Sequence, residues 1–152
     1  MIEPMRKRKA WRVFVKGLDN SDIFYAPTSR KACTKAYKSL YDYDVKKCDI
    51  SAVRAFLSDK LLPFRHEICD KLSDKETEAL LHAFGANQGS VDKAGYRDYY
   101  YTYRDNEIMN SLMNFGLMKH IDITDDYGEK MIYFVLTDFG KNVALSMVPE
   151  YD

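Results

Sequence analysis

The spacing of hydrophobic positions changes several times along the chain. Residues 10–16 (Ala-Trp-Arg-Val-Phe-Val-Lys) alternate and carry β-branched and aromatic side chains, which predicts a strand. Leu18-Asp19-Asn20-Ser21-Asp22 is a turn cluster. Residues 23–26 predict a second short strand, so the two form a hairpin that Pro27 ends. Thr28 or Ser29 then caps a helix that runs to about Tyr41. Within it Ala32, Ala36 and Leu40 recur at i, i+4 and i+8, which gives a buried stripe. Lys31, Lys35 and Lys38 recur at i, i+4 and i+7 on the exposed side, with Arg30 beside them. Tyr41-Asp42-Tyr43-Asp44 breaks the helix, and residues 50–56 alternate as a third strand. The first subdomain, residues 1–62, therefore reads β-β-α-β.

Leu61-Leu62-Pro63 marks the boundary, and residues 63–152 form the second subdomain. Residues 66–71 are a short helix or a connector. Ser73 or Asp74 caps a helix over 72–84, and Ser73-x-x-Glu76 fits a capping box. Thr77, Leu80, Leu81 and Phe84 give its apolar face, and Gly85 stops it. Residues 87–94 read as a loop. The stretch Gly95-Tyr96-Arg97-Asp98-Tyr99-Tyr100-Tyr101-Thr102-Tyr103 follows. Asp105 caps a helix over 105–116 with Ile108, Met109, Leu112 and Phe115 inward and Gly116 as its left-handed end. Ile121-Asp122-Ile123 and residues 131–136 are strands joined by the turn Asp125-Asp126-Tyr127-Gly128, and a closing helix ends the chain. The sum is an α+β protein.

Of the 152 residues, 46% are apolar and 30% charged, which places the chain among folded globular proteins. No apolar run approaches the roughly 20 residues of a membrane span. The N-terminus is basic without an apolar stretch behind it, unlike a secretory signal. Three cysteines at irregular spacing (Cys33, Cys48, Cys69) argue against a disulfide framework and for a reducing cytoplasm. The zero net charge conceals an asymmetry. Residues 1–65 carry 15 Lys+Arg against 7 Asp+Glu, a balance of +8, and residues 66–152 carry 8 against 16, a balance of −8. Such a split marks either a basic face for nucleic acid or an acidic partner, or two halves that attract each other.

Motifs of phosphate loops, dinucleotide loops, zinc proteases and serine hydrolases are absent from the sequence. His66-x-x-Cys69 is the only tight metal-like pair, and Cys33, Cys48, His82 and His120 are scattered, so the chain is expected to hold no metal and no cofactor. Asp125-Asp126 falls in a turn, where Asp suits the backbone. The reading is therefore of a protein that is not an enzyme. Cations cluster as Arg6, Lys7, Arg8, Lys9, Arg12, Lys16, Arg30, Lys31, Lys35, Lys38, Lys46 and Lys47, with Trp11, Tyr25 and Tyr37 among them, a composition that suits phosphate contacts. The alternative for these is a solvated helix face and a disordered basic tail. Five of the 12 tyrosines lie within residues 96–103. On a strand Tyr99, Tyr101 and Tyr103 share one side and Tyr96 and Tyr100 the other, so one side can fill core while the other binds a partner. A strand covered on both sides is the competing reading.

Two stretches carry a resemblance. Leu112-x-x-Phe115-Gly116-Leu117 and Leu136-Thr137-x-x-Gly140-x-x-x-Ala144 resemble the end of the recognition helix and the entry to the post-wing helix in MarR-like and other winged-helix regulators. The resemblance implies that the second subdomain is a degenerate winged helix packed with the β-β-α-β unit. The pattern departs from that family where a second helix is expected before the third, and where Asp105, Asn106, Glu107, Asn110 and Asn114 replace the usual basic residues of the recognition helix. More loosely, Phe24-Tyr25-Ala26-Pro27-Thr28-Ser29-Arg30-x-Ala32, Leu81-His82-Ala83-Phe84-Gly85 and Tyr96-Arg97-Asp98-Tyr99-Tyr100 resemble a group of small phage and prophage proteins. This implies a phage accessory protein in the cytoplasm of a bacterial host cell. The partners expected are DNA, through the basic half, or a host protein, through the tyrosine stretch and the acidic half. A homodimer is a further option, and a membrane is not expected.

Overall fold

The computed structural model describes residues 5–87, 91–121 and 130–152, and contacts divide them into two units, Met5–Leu62 with Tyr151 and Pro63–Glu150 with Asp152. Helices pack with antiparallel three-stranded sheets, so the fold is α+β, as the pattern predicts.

In the first unit β2 (Ala10–Val15) is the centre of an antiparallel sheet, flanked by β3 (Asp22–Tyr25) and β4 (Ile50–Arg54) in the order β3-β2-β4. Helix α1 (Ser29–Ser39) begins at Thr28, whose side chain accepts from the Lys31 N–H. It ends two residues earlier than the sequence expects. Ala32 and Ala36 are fully buried, and small side chains there let the helix lie close over Val13, Val15 and Ile50. The period of two sends Arg12 and Phe14 to the opposite side of the sheet, where both are exposed. Two strands were not legible beforehand. β1 (Met5–Arg8) pairs with β5 (Lys60–Pro63), so the basic run is structured and not a tail, and the expected boundary at residues 61–63 is itself a strand.

In the second unit, a 3-10 turn (Glu67–Lys71) precedes α2 (Asp74–Phe84). Ser73 and Glu76 form the expected capping box, and Gly85 ends the helix at φ 76°. Then come β6 (Tyr99–Tyr103), α3 (Glu107–Asn114), β7 (Met118–Ile121), β8 (Met131–Leu136) and α4 (Asp138–Met147). The sheet order is β6-β8-β7, all antiparallel. Asn106, and not Asp105, caps α3, because its side-chain amide oxygen accepts from the Met109 N–H at 3.0 Å. Only residues 104–106 separate β6 from α3, which leaves no room for a helix between them. β7 starts three residues before the expected strand at Ile121. Residues 122–123 and the turn at 125–128 lie outside the described residues.

The core of this unit is built from Leu80, Met109, Leu112, Leu117, Phe134 and Val143, all essentially inaccessible. The Leu136-Thr137-x-x-Gly140 motif has a physical reading. The Thr137 hydroxyl accepts from the Gly140 N–H at 2.9 Å and donates to the Gly116 carbonyl at 2.7 Å, which ties the start of α4 to the end of α3. Gly140 has no side chain because a Cβ there would lie 1.9 Å from the Leu117 carbonyl oxygen.

Candidate nucleic-acid interface

Ala32 and Ala36 fix the rotation of α1, so Arg30, Lys31 and Lys38 face solvent together. The helix contains no acid, and its first turn holds two cations. That reverses the usual arrangement, because the N-terminal end of a helix dipole disfavours positive charge. Lys35 lies at the helix edge, half-buried, with its Nζ 3.5 Å from the Tyr25 carbonyl. Lys46 and Lys47 are exposed, and the Lys47 ammonium stands 5.2 Å from the centre of the Tyr37 ring on α1.

The other candidate cations are distributed differently. Lys7 and Lys9 are exposed, Arg6 is half-buried, and Lys16 is exposed at the end of β2. Arg8 is only 3% exposed, with its guanidinium 4.6 Å from the centre of the Tyr25 ring, so it is withdrawn from any phosphate surface. Arg12 sits on the side of the sheet away from α1 and donates to the Ser21 hydroxyl at 3.1 Å. The interleaved aromatics are engaged as well. The Trp11 indole donates to the Ala26 carbonyl, and the Tyr25 ring also has the Lys60 ammonium 4.8 Å from its centre. The fold thus gathers Arg30, Lys31, Lys38, Lys46 and Lys47 around α1 and separates Arg12 from them.

One arrangement in this unit escaped sequence reasoning. After β4 the chain turns through Phe56–Ser58 and leaves Phe56 and Leu57 in solvent, 71% and fully exposed. Arg54 grips Asp59 through two hydrogen bonds of 2.6 and 2.7 Å and also donates to the Ala10 carbonyl. The bond from Arg54 holds the Asp59 carboxyl down at about 2, against the opposing effect of burial. The Arg54 guanidinium lies 4.4 Å from the centre of the Phe56 ring. The available signal was a pair of large apolar residues just after an alternating strand, where a turn normally turns polar.

In the second unit the tyrosine stretch divides by side. Tyr99, Tyr101 and Tyr103 are exposed, and Tyr99 and Tyr101 contact Tyr133 of β8 with ring centres 5.7 and 4.6 Å apart. Tyr100 points the other way, half-buried against the core and edge-on to His82 at 5.2 Å. Tyr96 is not in the strand. Its ring stands over Gly85, where a Cβ would meet it at 2.3 Å, and it is exposed. A shallow concavity of about 350 Å³ lies between α2, β6 and α3, lined by Lys75, Glu78, His82, Tyr100 and Ile108. Burial there, and secondarily the Arg97 charge, lower the His82 pKa.

No group of three or more His, Cys, Asp or Glu converges as a metal site among the described residues, and no helix among them is long and apolar enough to cross a membrane. No protein-family model, curated protein or solved structure matches the chain.

Proposed function

We propose that the protein is a non-catalytic nucleic-acid-binding protein that holds phosphates on the outer face of α1, in the phage or prophage setting that the sequence resemblance implies. The observation that carries this reading is the acid-free helix α1, with Arg30, Lys31 and Lys38 exposed on it and Lys46 and Lys47 beside it, in a unit of balance +8 (residues 5–62, 14 Lys+Arg less 6 Asp+Glu). Clustered cations release condensed counterions when they meet phosphates, so affinity falls steeply with salt. Titration of a labelled mixed-sequence duplex at low and moderate salt tests it. Replacing Arg30, Lys31 and Lys38 with Gln should flatten the slope of log affinity against log salt by about 2 to 3, at roughly 0.9 per phosphate contact. Absence of binding at low salt would end the proposal.

The second unit enters this reading only as scaffold. Its order of helix, strand, helix, paired strands and helix supports a winged helix without its second helix. The exposed residues of α3 include no Lys or Arg to meet phosphate or guanine. A second reading, a protein-binding inhibitor or adaptor of a host factor, is favoured by the exposed side of β6, since tyrosine brings contact area and a polar tip. The triple Gln variant separates the two: it weakens nucleic-acid capture in the first reading and leaves partner capture untouched in the second.

A further inference from the structure

Leu57, Tyr41 and Phe56 are, in that order, the most exposed large apolar side chains of the first unit, and unlike Tyr41 the other two lack a polar tip. Isolated exposed apolar residues are ordinary, but these two do not stand alone. With Arg12, Val53 and Arg54 they line one shallow concavity of about 360 Å³ at the end of β4. Arg12 and Val53, opposite each other across β2 and β4, belong to the side of the sheet that α1 leaves uncovered, where Phe14 is also exposed. No acid lines the concavity. The carboxylate nearest in the chain, Asp59, is already neutralised by its paired bonds to Arg54.

The Phe56 ring is held in a specific way. One side has the Arg54 guanidinium 4.4 Å from its centre, and that guanidinium is fixed by Asp59 and by the Ala10 carbonyl. The support is rigid because a bidentate arginine–carboxylate pair has little rotational freedom. The ring remains 71% exposed, so it is free to accept a second flat group. We propose that this concavity takes an unpaired nucleobase, stacked on Phe56 and Leu57, with the adjoining phosphate on Arg12. The occupant follows from charge and shape together. A base has a flat face to stack, its backbone is anionic, and Arg12 lines the concavity with no acid beside it. A double-stranded site would present only paired bases, so single strands should bind better here than duplex. The inference rests on the proposed nucleic-acid function and adds the form of the nucleic acid and the place of a base.

The test uses the full chain, a short labelled oligothymidylate, a duplex of equal length, and a single strand carrying 2-aminopurine, whose fluorescence falls on stacking. Phe56→Ala should weaken single-strand binding roughly 5- to 150-fold, the range that loss of one stacked base gives, with duplex binding much less changed. Phe56→Trp should keep affinity and quenching, whereas Phe56→Leu, apolar but not flat, should lose both. Circular dichroism melts confirm that each variant is folded, as expected for so exposed a side chain. Equal single-strand binding by Phe56→Ala and the parent, or equal binding by Phe56→Leu and Phe56→Trp, would overturn the proposal. So would concentration-dependent self-association that Phe56→Ala abolishes, because the concavity would then hold a second copy. If duplex still binds in a salt-dependent way while Phe56 proves irrelevant, the phosphate surface on α1 stands and only the base site falls. If the parent binds neither strand form at low salt, both fall.

Discussion

Replacing Gly140 by Ala sets two effects of opposite sign against each other. Gly140 lies inside α4, where helix propensity alone favours Ala by about 1 kcal/mol. Against this, an added Cβ would stand 1.9 Å from the Leu117 carbonyl oxygen and 2.8 Å from its carbon. These are backbone atoms at the end of the α3–β7 connection, so no side chain can swing aside. The Leu117 N–H and carbonyl are both committed, to the Leu112 carbonyl and the Thr137 N–H. Overpacking of a tight interior costs about 1–3 kcal/mol, and a rigid backbone neighbour places this site at the upper end. The net expectation is a loss of about 2 kcal/mol. At roughly 3 °C per kcal/mol for a chain of this size, the melting temperature should drop by about 6 °C. Thermal and urea melts by circular dichroism measure it, with Asn142→Ala, at an exposed position of the same helix, as the control that should gain about 0.5 kcal/mol. A Gly140→Ala protein as stable as its parent would show that α4 does not approach Leu117 this closely.

Three further outcomes are expected. Asp105→Ala with Glu107→Ala should leave nucleic-acid affinity unchanged or raise it, measured by the same titration, because both carboxylates repel phosphate; a large loss would mean that α3 contacts the nucleic acid. Tyr99→Ala with Tyr101→Ala should cost little stability, whereas Tyr100→Ala should cost about 2 kcal/mol or more in a urea melt, since only Tyr100 is packed on the core. The Asp59 carboxyl, held at about 2 against an ordinary 3.8, contributes stability that is complete above pH 4 and lost as pH falls towards 2; Asp59→Asn should therefore lose stability at neutral pH and show a shallower decline across that window.

Where the chain could be read in advance, local chemistry sufficed. The Ser73–Glu76 capping box, Thr28, and the strand 131–136 all depend on neighbours within a few residues, and their bounds appear as expected. β1 and β5 depend on each other across some fifty residues, and β1 is written almost wholly in cations, so neither carried a strand signal. The choice of Asn106 over Asp105 as a cap is one of backbone path between two residues equally able to do it. Alternation showed that Tyr99 and Tyr101 oppose Tyr100, but which side faces the core is fixed by where α2 and α3 lie. Arg8 counted as a candidate phosphate contact because charge is visible in a sequence and the Tyr25 ring over it is not. Arg54 and Asp59 are five apart in an irregular turn, a spacing with no signature.

Each unit leaves large apolar side chains in solvent, and the two groups ask for different explanations. On β6 the exposed aromatics are tyrosines, whose hydroxyls can stay in water while their rings lean on Tyr133. That face can persist in solvent without a partner. Phe56 and Leu57 have no polar atom to solvate, and each keeps most of its apolar surface in water. Leaving such a side chain exposed forgoes about 1.5–3 kcal/mol relative to burying it. Arg54 could have satisfied Asp59 without standing over an aromatic ring, yet its guanidinium is placed there and locked. An exposed ring with a fixed cation behind it is prepared to stack, and Arg12 in the same concavity, with no acid lining it, makes an anionic strand carrying bases the occupant that satisfies both features.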